Sequence, residues 1–266
     1  MGKFSGVLIT SDIDGTLYGK DFTLHQKNID AIKYFTDEGG LFSLASGRMH
    51  GDVCTIGKDI CNTYCLGCNG GVIGTADEII YKAEFQPEIF PEFLKILKKF
   101  PKSDIEFCVP GRIYAFNSNE LTDIHQKFIP EPIIKIDDFY KAPLDAYMVA
   151  FWTDEETIKE LKNYAEETNL KEKCNCYTGF TYSFECSPLG VDKGSSALKL
   201  KELTNSKFLV TVGDNENDLS MIKAGDISFT PKNAKEIIKP FSSSTLKSTA
   251  DDCIMPELIE TLEKMI

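Results

Sequence analysis

The residues best placed to do chemistry are acidic, and they gather in two short segments. Asp12 and Asp14 stand two residues apart in Asp12-Ile13-Asp14-Gly15-Thr16. Asp214, Asn217 and Asp218 fall within Gly213-Asp214-Asn215-Glu216-Asn217-Asp218. Ser46 and Asn69 lie in two further polar stretches, Ser46-Gly47-Arg48 and Cys68-Asn69-Gly70-Gly71. Clustered carboxylates repel one another unless a cation joins them. Hard oxygen donors of this kind suit Mg²⁺, which takes one or two carboxylates together with waters and substrate phosphate. A carboxylate can also attack phosphorus and form an aspartyl-phosphate. Read alone, Asp12-x-Asp14-Gly15 is equally a plain turn. The second segment alone is equally a helix start, with acidic residues near the positive end of the dipole.

The flanking elements decide between these readings. Val7 to Thr10 is a short apolar run of the kind found in buried parallel strands. Thr23 with Gln26 has the spacing of a capping box, and Leu24, Ile29, Ile32 and Phe35 give the helix that follows an apolar side, ended by Gly39-Gly40. Leu41 to Ala45 is a second strand, and the three elements form a βαβ unit. Tyr64 to Leu66 is a third strand candidate. Phe208 to Val212 is another apolar strand, preceded by a helix over Ser195–Leu203 and followed by one over Leu219–Ala224 that stops at Gly225. Each polar segment thus follows an apolar strand, at the edge where open α/β sheets bind ligands.

Between Tyr81 and the late strands the texture changes. Pro87, Pro91 and Pro101 punctuate the chain, and Phe93, Leu94 and Leu97 mark a helix. Phe107 to Phe116 reads as a hairpin around Pro110-Gly111. Tyr147 to Trp152 reads as a strand, with Thr153 and Glu156 capping the next helix. Phe180, Tyr182 and Phe184 alternate with small or polar residues as a half-buried strand would. The expected organisation is an α/β fold: a Rossmann-like core with a mainly parallel sheet, residues 1–82 and 188–266, interrupted by a smaller inserted α+β module, residues 83–187.

Charge and composition narrow the partners. The chain has 266 residues, 42% hydrophobic and 26% charged, enough for a large core without disulfide staples. Lys plus Arg number 29 against 41 Asp plus Glu, a net charge of −12, and Arg48 and Arg112 are the only arginines. Such a chain lacks the dense positive surface and arginine forks that nucleic-acid binding needs. Its long-range field also repels anions, so a phosphate site must be built locally from a metal, a lysine or backbone N–H groups. No apolar run reaches the length of a membrane span. The first residues carry neither a signal-peptide nor a myristoylation pattern, so the cytoplasm is the expected compartment.

Other routes to phosphate chemistry are missing from the sequence. There is no P-loop, and no cysteine is followed by arginine six positions later. An EF-hand reading would put Asp21 at the twelfth position, where Glu is needed. His25, His50 and His125 show no metal-ligand spacing. The nine cysteines, Cys61, Cys65, Cys68, Cys174 and Cys176 among them, lack paired zinc-ribbon spacing and are read as free thiols.

Taken together, the segments resemble a known family. Asp12-Ile13-Asp14-Gly15-Thr16-Leu17 is similar to the first motif of the haloacid dehalogenase (HAD) superfamily. Ser46 in Ala45-Ser46-Gly47-Arg48 resembles the second, and Lys193 in Val191-Asp192-Lys193-Gly194-Ser195 the third. Gly213 to Asp218, with Met221 and Ala224-Gly225, resembles the fourth. All four occur in order and cover both core segments. The insertion between the second and third motifs resembles the α/β cap of Cof-type phosphatases. The Asn69-Gly70-Gly71 turn and the short tail after the fourth motif fit that subfamily as well.

The resemblance implies a Mg²⁺-dependent hydrolase of phosphate monoesters, acting on small phosphorylated metabolites and most simply on sugar phosphates. It implies Asp12 as nucleophile and Asp14 as general acid and base. Mg²⁺ would be held by Asp12, the main-chain carbonyl of Asp14 and Asp214, with Asp218 in or near that shell. Ser46, Gly47 and Lys193 would bind the phosphoryl oxygens, and Asn217 would orient Lys193 or phosphate. Asp at position 14 is the mark of phosphatases and phosphomutases in this superfamily. A phosphomutase, a sucrose-, trehalose- or mannosylglycerate-phosphate phosphatase, and a non-enzymatic phosphate- or Mg²⁺-responsive module are the alternatives. One departure is visible: Pro231-Lys232-Asn233-Ala234 replaces the family's Gly-Asn-Ala stretch, which implies an unusual substrate preference. In the cap, Arg112, Tyr114, Trp152, Tyr177 and Tyr182 could face substrate or simply pack.

Overall fold

The computed structural model describes residues 2–60, 63–178 and 181–265. Cys61 and Phe180 therefore lie outside the described residues. The first sheet is built from β1 (Val7–Asp12), β2 (Leu41–Ala45), β3 (Tyr64–Gly67), β4 (Val72–Gly74) and β5 (Ile79–Lys82), and later from β12 (Phe208–Val212), β13 (Ile227–Thr230) and β14 (Ser244–Thr245). Its order is β14-β13-β12-β1-β2-β3-β4-β5. Pairing is parallel from β14 to β3 and antiparallel for the β3-β4-β5 meander. The chain leaves β1 towards β2 and returns on its other side at β12. The C-terminal end of β1 is thus a topological switch point.

Helices cover both faces. α1 (Gln26–Asp37), α2 (His50–Ile60) and α8 (Ile254–Glu263) lie on one side, α6 (Lys193–Leu203) and α7 (Leu219–Ala224) on the other. Strand β1 shows why: Val7 and Ile9 pack into the first layer while Leu8 packs into the second. All six of its residues are buried, as a strand covered on both faces requires.

The inserted segment folds as a second, mixed sheet of order β10-β11-β9-β6-β7-β8. Its strands are β6 (Asp104–Val109), β7 (Arg112–Phe116), β8 (Ile133–Ile136), β9 (Met148–Trp152), β10 (Cys174–Thr178) and β11 (Ser183–Pro188). α3 (Phe90–Lys99) and α5 (Glu155–Glu167) cover one face, and α4 (Glu120–His125) is a single short helix. Ile105, Phe107, Val149, Phe151 and Phe184 fill the helix-covered layer. By the alternation of strand side chains, Asp104, Glu106, Trp152 and Glu185 point to the opposite face. An apolar seam of Met49, Cys68 and the β4 residue Val72 with Cys108, Tyr147 and Met148 joins the two units.

Local differences from the sequence reading have simple causes. The capping box at Thr23 does not form: the Thr23 hydroxyl donates to Asp21 Oδ2, and α1 starts at Gln26 behind an uncapped His25. Asp154, not Thr153, caps α5, accepting from the Thr157 N–H at 2.9 Å. α6 begins two residues before Ser195, because Asp192 caps it reciprocally with Ser195. That shift places Lys193 in the first turn of a helix. The Pro110-Gly111 hairpin, β2, β12 and α7 with its stop at Gly225 occur as read.

Candidate active site

Two strand ends converge on Lys193. Asp12 is the last residue of β1, Asp214 follows β12 by two residues, and Lys193 enters from the start of α6. The Lys193 ammonium donates to Asp12 Oδ1 and to Asp218 Oδ1, each at 2.7 Å. All three residues are almost fully buried. Burial works against the ammonium, but Asp12 and Asp218 outweigh it and hold Lys193 charged. Burial, then the Asp218 carboxylate, pushes Asp12 well above the usual carboxylate range, with Lys193 pulling the other way. Burial and Asp218 likewise push Asp214 up to about 6.

The acidic oxygens have distinct duties. Asp218 Oδ2 accepts the backbone N–H groups of Asp214 and Asn215 at 2.9 and 3.0 Å, so Asp218 fastens its own loop. Asp214 Oδ1 accepts the Thr16 hydroxyl at 2.9 Å. Ligand oxygens of Asp12, Asp214 and Asp218 lie within 4.8 Å of one another. Three carboxyl groups against one ammonium crowd negative charge into a buried place, and burial with that crowding is what raises Asp12 and Asp214. A divalent cation would balance that charge, so the donor set fits a hard metal ion. With both Asp218 oxygens engaged, Asp12 and Asp214 are the better direct ligands.

Asp14 is held differently. The Arg48 guanidinium grips it with two parallel bonds, Nε to Oδ2 and Nη2 to Oδ1, both 2.8 Å, while Nη1 reaches Asp52 Oδ2. Its carboxylate is thus turned from the Lys193 cluster towards the second motif. Ser46 is buried after β2, and Gly47 beside it passes close under the cap: a Cβ there would meet Asn69 Oδ1 at 3.2 Å and Glu185 Oε2 at 3.3 Å. Asn217 lines a groove of about 680 Å³ that also includes Cys176, Tyr177 and Lys235, while the Lys193 ammonium donates to Asp12 and Asp218.

Several contributors were not singled out from the sequence. Glu185 comes from the cap, accepts from Asn69 Nδ2 at 2.7 Å and from the Ser183 hydroxyl at 3.1 Å, and is pushed up by burial. Only the fold brings it to Gly47, since its β-strand alternation resembles any other. Thr16 and Arg48 stood within the motif segments without a role. Asn233 donates through Nδ2 to the Gly15 carbonyl at 2.8 Å and accepts the Ala250 N–H at the same distance. The altered Pro231-Lys232-Asn233-Ala234 stretch therefore still fastens the first motif. Of the cap candidates, Arg112 is exposed, Tyr114 packs against the cap core and Tyr182 is exposed. Trp152 Nε1 donates to Glu106 Oε2 at 2.9 Å, and the Tyr177 hydroxyl donates to the Val191 carbonyl at 3.4 Å.

A doubly covered, mainly parallel sheet, a separate mixed sheet over its switch point and a lysine-bridged carboxylate cluster make an α/β core with an acidic site at its ligand-binding edge. Residues 9–258 match the family described as haloacid dehalogenase-like hydrolase. The chain belongs to that family, with a second inserted sheet domain. It is 24% identical over 272 residues to the 5-amino-6-(5-phospho-D-ribitylamino)uracil phosphatase YwtE of Bacillus subtilis, covering 92% of this chain and 94% of the relative. A haloacid dehalogenase-like hydrolase from Bacteroides thetaiotaomicron superposes with a TM-score of 0.82 at 24% identity, over 97% of this chain and 99% of that one. A HAD subclass IIB sugar phosphatase superposes at 0.79 and 18% identity, over 96% and 99%. The protein is a HAD-type phosphatase acting on small phosphorylated substrates.

Proposed function

We propose that this chain is a Mg²⁺-dependent phosphatase of small polyhydroxylated phosphate monoesters, sugar phosphates in the first instance, working through Asp12. The observation that carries the reading is Lys193 bridging Asp12 and Asp218 at 2.7 Å beside Asp214. Asp12 attacks phosphorus in line and the ester P–O bond breaks, leaving phosphate on Asp12. Asp14, once protonated and clear of the Arg48 fork, gives its proton to the departing oxygen, then takes one from water as that water attacks phosphorus and the Asp12–phosphate bond breaks. Lys193, Ser46 and the backbone at Gly47 hold the phosphoryl oxygens, and Arg48 orients Asp14. Asp218 positions Lys193 and the Asp214 loop. Asn217, on the groove, is assigned to substrate entry. Asp12, Asp214 and the Asp14 carbonyl would hold Mg²⁺, which supplies positive charge to the phosphoryl oxygens as charge develops on them.

Glu185 supports the substrate class. A cap carboxylate set against Asn69 and Gly47 suits a leaving group that offers hydroxyl donors. The names of the ribityl-phosphate and sugar-phosphate relatives point the same way. Residues 83–187 form the cap and 1–82 with 188–266 the core in this reading; β5 ending at Lys82 supports the first boundary, and the cap strand β11 runs one residue past the second, to Pro188. The test is phosphate release from a panel of phosphorylated sugars, polyols and one aryl phosphate, with Mg²⁺, with EDTA, and with Asp12→Asn. Release that needs Mg²⁺ and is lost in Asp12→Asn is expected. Folded protein that releases nothing, or that only moves phosphate between hydroxyls, would overturn the hydrolase assignment.

A further inference from the structure

Strands β10 and β11 bring three thiols together on the helix-covered face of the cap. Cys174 and Cys176 are two residues apart on β10, and Cys186 lies directly opposite Cys176 in the antiparallel register. The three sulfurs lie within 4.8 Å of one another, and those of Cys174 and Cys176 are 3.9 Å apart. Cys174 and Cys186 are fully buried. Cys176 is half-buried and opens onto the groove lined by Glu166 and Lys171.

We propose that Cys174, Cys176 and Cys186 form a site for a soft d¹⁰ cation of the Zn²⁺ class, distinct from the acidic cluster under the cap. Zinc–thiolate bonds of about 2.3 Å set sulfur–sulfur edges of about 3.8 Å in a tetrahedron and about 4.0 Å in a trigonal plane. The observed 3.9 Å falls between these, so the sulfurs need only side-chain adjustments to close on an ion. A disulfide would require two sulfurs at about 2.05 Å and would strand the third in the cap core. Thiolate donors select against Mg²⁺, which the acidic cluster suits. The groove supplies an entry path and a fourth position, for water or the Glu166 carboxylate. On binding, three S–H protons leave to solvent and three metal–sulfur bonds form, with no change of oxidation state. The bound ion would fasten β10 to β11 directly behind Glu185, which points from the other face of β11 towards Asn69.

The reduced full-length protein is titrated with Cd²⁺, as a Zn²⁺ probe, in excess Mg²⁺, and thiolate-to-metal charge-transfer absorption is read. One Cd²⁺ per chain is expected, displaced by Zn²⁺. Cys176→Ser, at the half-exposed position, is expected to weaken binding at least tenfold with the unfolding midpoint of the metal-free protein unchanged. Cys54→Ser is expected to bind as the wild type does. Alkylation of the wild type in saturating Cd²⁺, followed by peptide mass mapping, is expected to leave Cys174, Cys176 and Cys186 together unmodified, a readout that needs no variant. Absence of the charge-transfer band would overturn the site. So would its loss in Cys54→Ser with retention in Cys176→Ser, or protection of other cysteines instead of these three.

Discussion

Replacing Asp104 by Asn should stabilise the protein at neutral pH, and the gain should vanish in acid. Asp104 is fully buried under the cap sheet, where its Oδ2 accepts the Thr122 hydroxyl. Its Oδ1 and the Oε1 of neighbouring Glu106 have no hydrogen-bond partner. Burial, with repulsion from Glu106, pushes Asp104 from 3.8 up to about 8. A carboxyl raised on folding contributes fully below its unfolded pKa and loses that contribution as pH climbs towards the folded value. The window is therefore about pH 4 to 8, and at about 1.4 kcal/mol per pH unit the span sums to roughly 6 kcal/mol, about 4 kcal/mol of it by pH 7. Asn keeps an acceptor for Thr122, carries no charge and offers N–H donors towards Glu106. Urea unfolding of wild type and Asp104→Asn at pH 4.5, 6, 7 and 8 gives the test. The stability difference should widen in favour of Asn by several kcal/mol across the series. A difference that stays flat would refute the reasoning, because it would mean that Asp104 titrates alike in folded and unfolded chains.

Three further outcomes follow from the site. Arg48→Lys exchanges a two-bond fork at 2.8 Å for a single flexible contact, so kcat should fall about 10- to 100-fold with KM little changed; steady-state kinetics with an unchanged kcat would remove Arg48 as the orienter of Asp14. Gly15 has φ +90°, and a Cβ there would lie 2.4 Å from Asp214 Oδ2, so Gly15→Ala should displace Asp214 and weaken Mg²⁺ binding by tenfold or more, measured by calorimetry on folded protein; affinity within twofold of wild type would contradict that geometry. Glu185→Gln should weaken kcat/KM for a polyol phosphate by roughly 10- to 150-fold, the worth of a charged hydrogen-bond acceptor, while an aryl phosphate lacking hydroxyls changes less than twofold; equal losses on both would take Glu185 out of substrate recognition.

The core and the identities of its polar strand ends are readable from the order of residues alone. Buried parallel strands read as apolar runs, and β1, β2 and β12 each stop where a polar segment begins, so Asp12, Ser46 and Asp214 were legible as ligand-edge residues. Helix starts were less legible. Asp, Ser and Thr compete for the same cap, and at Thr23 the local bond to Asp21 won. The short β4–β5 hairpin went unread because three- and four-residue strands carry too little periodicity. Which carboxylate oxygens are engaged depends on packing across the fold. That packing committed both Asp218 oxygens to Lys193 and the loop, and turned Asp14 onto Arg48. It also decided what meets across long separations: Glu185 with Asn69, 116 residues apart, and Cys186 with Cys176 across a strand pair. Strand alternation tells which residues share a face but not which sheet that face meets, and that choice is made by packing the cap over the switch point of the core.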